Sequence, residues 1–184
     1  PATPPAGIDQ EENDLVVIPG NPPNTIIGGT YPGNGDSTHA HQTIEKALEL
    51  LGGMENDSWV MQVNINTPHT PVLPPEPYAS MYDEEVKDWT PDSEEQKNRC
   101  QLHQDWVKYR GFDQLSLAEL RKSRSSYFGL TSYLDTEIGR LEAYLQKNNL
   151  DQHLVTIFIA DHGSSIGDHL LQVKGSYDTD DITH

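Results

Sequence analysis

The sequence predicts an α/β fold in which a mostly parallel sheet is flanked by helices. Two segments carry apolar residues at helical spacing, and an apolar run follows each of them, at residues 59–66 and 154–160. Helices that alternate with strands in this way usually lie across the faces of a parallel sheet. A length of 184 residues is enough for one domain with a buried core.

Residues 1–37 are expected to form a loop-rich segment, and the α/β pattern occupies residues 38–184. Pairs of glycine and proline are frequent in the first segment and interrupt regular structure, so only residues 16–18 suggest a strand there. The chain opens in a proline-rich stretch without an initiator Met. We therefore expect an internal piece of a longer protein, with an incomplete sheet.

The first helix is predicted to begin at a cap formed by Ser37 or Thr38 and to end at a Gly-Gly pair. Four apolar residues repeat along it at helical spacing: Ile44, Ala47, Leu48 and Leu51. The strand at 59–66 then runs directly into a proline-rich loop. His69 lies between prolines of that loop, and we expect it to be held rigidly.

A charged stretch at residues 83–113 suits short helices and precedes a long one. Ser116 and Glu119 form a capping box that opens the long helix, and an Asn-Asn pair closes it. Its apolar stripe consists of Leu117, Leu120, Tyr127, Leu130, Leu134, Ile138, Leu141 and Leu145. We expect Gly129 and Gly139 to permit close packing of this helix against a sheet.

The chain is strongly acidic, with 29 Asp and Glu against 12 Lys and Arg and a formal net charge of -17. This balance argues against nucleic acid as a partner, because nucleic-acid binding needs a basic face. It also opposes an anionic substrate, unless a metal ion and local lysines reverse the field at the site. No stretch is long and apolar enough to cross a membrane. Cys100 is the single cysteine and is most simply an ordinary thiol.

The apolar run at 154–160 stops abruptly at an Asp-His-Gly triplet, and Lys174 follows at a distance that a short loop could fold back over. A buried parallel strand looks like this where it delivers ligands to a site at its carboxyl end. A carboxylate, an imidazole and a fixed cation together suit a site that handles a tetrahedral anion. Asp168 and His169 lie near enough in sequence to bind a metal themselves or to support its ligands.

Each of these residues also has a simpler interpretation. Asp161 could cap the segment after the strand, Lys174 could be a solvated loop lysine, and His69 could be a packed loop histidine. The metal stays open as well, because Asp161 suits Ca²⁺ or Mg²⁺ whereas His162 suits a softer divalent ion. In the functional interpretation Lys174 is a point charge on a transferring oxyanion, and His69 donates to an anionic oxygen or a leaving group.

Three patches of the sequence resemble the sulfatase family, within the alkaline-phosphatase-like superfamily of α/β hydrolytic enzymes. They are residues 63–71 (Val-Asn-Ile-Asn-Thr-Pro-His-Thr-Pro), residues 127–145 of the long helix, and residues 157–176, which contain Asp-His-Gly, Gly-Asp-His and Lys-Gly-Ser. Order and spacing agree from about Thr38 onward. The resemblance implies that residues 38–184 are a partial sulfatase-like catalytic domain.

The resemblance also implies roles for individual residues. Asp161 and His162 would ligate the active-site metal, usually Ca²⁺, with Mg²⁺ and Mn²⁺ as alternatives. Lys174 and His69 would contact the sulfate group and help the leaving oxygen depart. The formylglycine nucleophile of the family is made in a Cys-x-Pro/Ala-x-Arg motif, which the surroundings of Cys100 do not match, and we expect it upstream of this chain.

The expected function is therefore part of a sulfatase that hydrolyses the sulfate ester of a small molecule or glycan, with the rest of the parent chain as partner. Export of the parent is expected from the family only, and this chain alone is expected to be inactive. Two alternatives stay open. One is a phosphonate monoester or phosphodiester hydrolase of the same superfamily, and the other is an inactive fragment or binding protein that kept the scaffold.

Overall fold

The computed structural model describes residues 8–9, 11–20, 24–54, 58–87 and 93–174. Two strands, β1 (Val16–Ile18) and β2 (Thr25–Gly28), precede helix α1 (His39–Leu51). The next helices are α2 (Ser93–Asn98), α3 (Gln101–Arg110) and the 31-residue α4 (Leu117–Lys147). Strands β3 (Ser165–Ile166) and β4 (Gln172–Val173) follow, and 3-10 turns lie at Phe112–Gln114, Asp151–His153 and Asp168–Leu170. Within the described ranges, no helix is both long and apolar enough to span a membrane. Gly175 and Ser176 of the third sequence patch lie outside the described residues.

The two main helices begin where the sequence predicts. Thr38 caps α1, and its side chain accepts a hydrogen bond from the backbone N–H of His41. Ser116 and Glu119 form the complete capping box at the start of α4. Such caps satisfy N–H groups that have no partner inside the helix, which fixes the starting residue. The charged stretch before α4 does contain short helices, α2 and α3.

The predicted parallel sheet is not formed among the described residues. β1 pairs with β2 and β3 pairs with β4, and the two antiparallel pairs are separate sheets. β2 is itself unexpected, because the sequence assigned a loop to that stretch. All four of its residues are buried, since the strand lies against α4 as well as β1.

The strands predicted at 59–66 and 154–160 are wrong for this structure, because neither segment belongs to a hydrogen-bonded ladder. A β-strand makes its backbone hydrogen bonds with a neighbouring strand, and neither run pairs with a neighbouring strand among the described residues. Val60 is 99% exposed as a result. In the second run four apolar side chains are 74% to 82% exposed: Val155, Ile157, Phe158 and Ile159.

Small residues let α4 approach its neighbours closely. An added Cβ at Gly129 would lie 2.1 Å from the carbonyl oxygen of Tyr78, so a loop, rather than the predicted sheet, fills that space. An added Cβ at Gly28 would lie 3.0 Å from the Cα atom of Ser123, which places β2 against a serine of α4. One face of α4 therefore carries both β2 and the loop around Tyr78.

Two hydrophobic clusters hold the elements together. The first joins the N-terminal hairpin to α3 and to the C-terminal loop, and its buried members are Val16, Ile18, Ile27, Val107, Phe112 and Leu171. The second joins α1 to α4 and is formed by Ala40, Val72, Leu130 and Tyr133. The Tyr133 hydroxyl lies 2.8 Å from Thr38 Oγ1, so the residue that caps α1 is also tied to α4. Leu117, the first residue of the predicted stripe, is 49% exposed and lies outside both clusters.

Gly129→Ala and Gly139→Ala are expected to change stability in opposite directions. At Gly139 an added Cβ meets nothing within 4 Å, so alanine raises the free energy of unfolding by about 1 kcal/mol through its helix propensity. At Gly129 the Cβ would meet backbone, and overpacking costs about 1–3 kcal/mol. Urea unfolding of each variant beside the wild type measures both effects. Shifts of the same sign would contradict the close packing of α4 on the Tyr78 loop.

Candidate functional site

Asp161 and His162 lie together at the end of the exposed apolar run. The Asp161 Oδ1 atom accepts the backbone N–H of His162 at 2.9 Å, and Oδ2 lies 3.4 Å from His162 Nε2. The carboxylate is thereby turned toward the imidazole. Because the Asp161 side chain is 84% exposed, its oxygens are open to a ligand.

Lys174 lies at the same imidazole, although twelve residues separate it from His162. Its Nζ atom is 2.7 Å from His162 Nε2. An ammonium group can only donate, so Nε2 accepts. The ring proton is then on Nδ1, which donates to the carbonyl oxygen of Gly163 at 2.7 Å. The structure thus brings Asp161, His162 and Lys174 into one group, called here the Asp161 group.

His69 lies on a separate, exposed loop, between the cis peptide bonds Thr67-Pro68 and Thr70-Pro71. Its Nδ1 atom is 2.8 Å from the Thr70 carbonyl oxygen. A carbonyl can only accept, so Nδ1 carries a proton and donates it in this bond. No hydrogen bond or ion pair between described residues joins His69 to the Asp161 group.

The site loop, residues 163–174, connects His162 to Lys174 and is fastened to α4 by side chains. Tyr127 lies beside Ser164, and burial raises the pKa of Tyr127. Ser123 donates from Oγ to Gln172 Oε1 at 3.2 Å, and both of these side chains are buried. The hydrogen bond from Ser123 holds the loop near its end, and Tyr127 lies against it near its beginning.

Arg124 holds the middle of the site loop and was missed by the sequence analysis. Its Nη2 atom lies 2.8 Å from both carboxylate oxygens of Asp168, and its Nε atom donates to the Ile166 carbonyl oxygen at 3.2 Å. A signal for it does exist in the sequence. Arg124 lies four residues after Leu120 and three before Tyr127, on the apolar stripe of α4, where a charge needs a partner.

The backbone of the site loop is strained at three positions. His169, Leu170 and Val173 have φ angles of 57°, 59° and 60°, in the left-handed region. Bulky and β-branched residues rarely adopt this conformation, which costs about 1–3 kcal/mol each and persists only where surrounding contacts enforce it. The contacts between the site loop and α4 can enforce this strained backbone conformation.

His169 faces α2 and α3 instead of the Asp161 group. Its Nδ1 atom lies 2.6 Å from Glu95 Oε1 and 2.6 Å from Arg99 Nη2. The hydrogen bond from Arg99 is the main cause that lowers the pKa of Glu95. His103 Nε2 donates to the carbonyl oxygen of His169 at 3.1 Å. Asp168 and His169 therefore anchor the loop to two different neighbours.

The donors of Asp161 and His162 fit one part of a divalent-metal site. A carboxylate oxygen and a neutral imidazole nitrogen are both metal ligands, and here they lie 3.4 Å apart. Ca²⁺ takes about six to eight ligands, more than this pair supplies. No cluster of three or more His, Cys, Asp or Glu arranged to hold a metal occurs in the described part of the chain. Further ligands would have to come from other segments.

A shallow depression of about 490 Å³ along α1 is a different place. It is lined by Asp36, His41, Gln42, Glu45, Lys46 and Glu49. The depression shares no residue with the Asp161 group. Three carboxylates against one lysine make it a poor site for an anionic ester.

Known proteins resemble this chain over most of its length. The family profile described as Sulfatase matches residues 11–184, a range that includes His69 and the whole Asp161 group. The chain is 29% identical over 150 residues to the multifunctional alkaline phosphatase superfamily protein PehA of Trinickia caryophylli. The match covers 74% of this chain and 29% of that protein. It is 28% identical over 143 residues to iduronate 2-sulfatase of Homo sapiens, covering 70% and 26% respectively. It is 28% identical over 150 residues to choline-sulfatase of Rhizobium meliloti, and the match covers 77% of this chain and 29% of that protein. The matched part spans less than a third of these relatives.

His103 is expected to make stability depend on pH. The residue is 4% exposed, and burial lowers its pKa from the ordinary 6.5. The neutral, buried His103 contributes fully to the free energy of unfolding at pH values above its unfolded-state pKa. As pH falls from that value through the lower folded-state pKa, this contribution is lost, because the unfolded chain binds a proton at a higher pH than the folded chain does. In His103→Gln the side-chain amide can still donate to the His169 carbonyl but cannot titrate. The fall in melting temperature from about pH 7.5 to about pH 5.5 should therefore be smaller than in the wild type. An equal fall would mean that His103 is not held neutral by burial.

Proposed function

Because the chain belongs to the sulfatase family, we propose that it supplies part of the active site of an enzyme that hydrolyses sulfate esters. The family consists of sulfuric ester hydrolases, so the substrate we propose is a sulfated small molecule or glycan. Four residues are assigned roles in this proposal: His69, Asp161, His162 and Lys174. Since the chain spans less than a third of its relatives, the activity proposed is that of the full-length protein.

One observation carries the proposal: a cation, an imidazole and a carboxylate converge where the site loop begins and ends. Lys174 Nζ is 2.7 Å from His162 Nε2, and Asp161 Oδ2 is 3.4 Å from the same nitrogen. The chain as a whole repels anions with its net charge of -17. A fixed cation beside metal-ligating groups is the local reversal of charge that an anionic ester needs.

Lys174 is proposed to bind the group that is transferred. An ammonium has three N–H donors, and among the described residues one of them reaches His162, so we assign the other two to sulfate oxygens. These oxygens carry the negative charge of the group while it is transferred. A cation already in place stabilises it without reorganisation of solvent, which lowers the barrier.

His69 is proposed to protonate the leaving oxygen. Its Nδ1–H is held by the Thr70 carbonyl, so Nε2 is the atom that would deliver the proton. A second imidazole suits this task because both ring nitrogens of His162 already have hydrogen-bond partners. The acid and the anion-binding cation would then belong to different loops.

Asp161 and His162 are proposed to hold a divalent metal, Ca²⁺ by analogy with the family, with Mg²⁺ and Mn²⁺ as alternatives. Bound there, the metal would neutralise charge on the ester oxygens. The Nε2 lone pair of His162 accepts from Lys174 in this structure, and one lone pair cannot serve two partners. Ligation by His162 therefore requires Lys174 Nζ to leave the imidazole, which would free the ammonium for the substrate.

The nucleophile is proposed to be a formylglycine outside this chain. Cys100 is followed by Gln101-Leu102-His103, which does not match the motif of the family, and it lies exposed before the first turn of α3. The proposal gives Cys100 no part in the reaction. It also leaves this chain without hydrolytic activity of its own.

Hydrolysis of phosphonate monoesters or phosphodiesters is the second candidate. It is favoured by the 29% identity to a protein described as a multifunctional member of the alkaline phosphatase superfamily. Lys174 and a metal would treat the tetrahedral centres of both ester types similarly. Assays of the full-length protein with para-nitrophenyl sulfate and with a para-nitrophenyl phosphodiester separate the candidates by the preferred ester. A protein that binds sulfated ligands but cleaves neither ester would be the binding protein considered above.

Asp161→Asn in the full-length protein is expected to weaken metal binding while the fold survives. The variant removes an anionic ligand, and the loss of affinity should exceed the roughly 10- to 100-fold that follows loss of an outer hydrogen-bond partner of a metal ligand. Because the side chain is 84% exposed, the melting temperature without metal should barely change. Calorimetric titration with Ca²⁺ and with Mn²⁺ measures the affinity, and Asp135→Asn on the exposed surface of α4 is the matched control. Unchanged affinity in Asp161→Asn would refute the ligand assignment.

Lys174→Ala and His69→Ala are expected to lower turnover by roughly 10²-fold or more, because each removes a group that acts on the transition state. The leaving group separates their roles. A more acidic leaving alcohol should restore activity in His69→Ala, which lacks the acid, but not in Lys174→Ala. Lys147→Ala and His39→Ala, both at exposed positions, are the matched controls. Wild-type turnover in Lys174→Ala or His69→Ala would mean that the loop concerned is structural only.

A further inference from the structure

We propose that Arg124 is the positioning residue of the candidate site: it fixes the middle of the site loop to α4 and thereby sets where the Asp161 group lies. The inference rests on the proposed function of that group. Arg124 lies on α4 and not in the Asp161 group. It would act through Asp168, which it binds.

The contact between Arg124 and the loop has the geometry of a clamp. Its Nη2 atom is 2.8 Å from each carboxylate oxygen of Asp168, and its Nε atom is 3.2 Å from the Ile166 carbonyl oxygen. The Arg124 side chain is 18% exposed, whereas that of Asp168 is 42% exposed. A partly buried guanidinium that donates from two of its nitrogens holds both the side chain and the backbone of the loop.

The place of the clamp along the loop explains why it matters. Asp168 lies six residues after His162 and six residues before Lys174. Fixing this midpoint divides one free loop into two short spans, so the imidazole and the ammonium can meet at 2.7 Å with less loss of entropy. A shift of the turn at Asp168 would therefore displace both His162 and Lys174.

The strained backbone points to the same residue. His169 and Leu170 follow Asp168 directly and have φ angles of 57° and 59°. Such a turn relaxes unless its surroundings hold it. The contact of the loop with α4 at Ser123 is a single hydrogen bond between neutral side chains, from Ser123 to Gln172. The contact of Arg124 with Asp168 is an ion pair, and charge-assisted bonds of this kind are the stronger ones.

The test compares Arg124→Gln, Arg124→Lys, Asp168→Asn and the double variant Arg124→Gln/Asp168→Asn in the full-length protein. We expect kcat for para-nitrophenyl sulfate to fall about tenfold or more in each single variant, since small displacements of reacting groups are costly. Arg124→Lys should not restore it, because lysine cannot bind both Asp168 oxygens and the Ile166 carbonyl in the same fixed geometry. The double variant should be no worse than the single ones, because all of them break the same contact.

A second readout does not depend on activity. Hydrogen exchange of the backbone amides in residues 163–174 should become faster in the Arg124 and Asp168 variants. Arg140→Gln is the matched control, since Arg140 also lies on α4 and pairs with Glu137 at 2.5 Å, but toward the other end of the helix. It should lower the melting temperature while leaving kcat and loop exchange unchanged.

The outcomes separate positioning from stability and from the proposed function. Arg124 variants that lower only the melting temperature, as we expect of Arg140→Gln, would overturn the inference. Faster loop exchange in a full-length protein without ester hydrolase activity would support the clamp but refute the proposed function. If Arg124→Gln fails to fold, Asp168→Asn carries the same test, because Asp168 is the more exposed partner. Wild-type kcat and wild-type loop exchange in Asp168→Asn would then overturn the inference.

Discussion

Close contact along one face of α4 is the constraint on which the rest of the structure depends. Ser123, Ser126 and Gly129 are buried on this face and are small enough for backbone to approach the helix directly. β2 uses the space at Ser123, and the Ser126 hydroxyl accepts the Gly29 N–H at 3.1 Å. Because buried groups here meet backbone rather than flexible side chains, the positions of the neighbouring segments are narrowly determined. The site loop is bound to the same helix and takes its position from it.

Much of the helical structure could be predicted from the sequence, and little of the sheet structure. A helix is closed by hydrogen bonds between residues four apart, and the caps at Thr38 and Ser116 mark its start by local chemistry. A strand is completed by a partner that sequence spacing does not identify. The apolar run at 154–160 therefore had the composition of a buried strand, yet in this structure its side chains are largely exposed. β2 escaped notice for the converse reason, since it is short and lies among glycines and prolines.

In the candidate site, too, some residues could be predicted from the local sequence and others could not. Asp161, His162 and Lys174 could be proposed together because a glycine-containing loop connects them. Arg124 could not be proposed with them, since its partner Asp168 is 44 residues away and nothing in local spacing joins the two. Its place on an apolar stripe was the one indication. Charged residues on such stripes are therefore worth testing for partners in chains of this kind.

The N-terminal hairpin and the end of the site loop belong to one hydrophobic cluster, which contains both Val16 and Leu171. This arrangement has a consequence for the order of folding. Contacts between residues so far apart in sequence form late, because the entropy of closing the intervening chain must be lost before they are gained. The helices depend on local contacts and can form early, whereas the position of Lys174 depends on the contact between β1 and the site loop. Within these residues, the Asp161 group would thus take its final position after the contact between β1 and the site loop has formed, not before it.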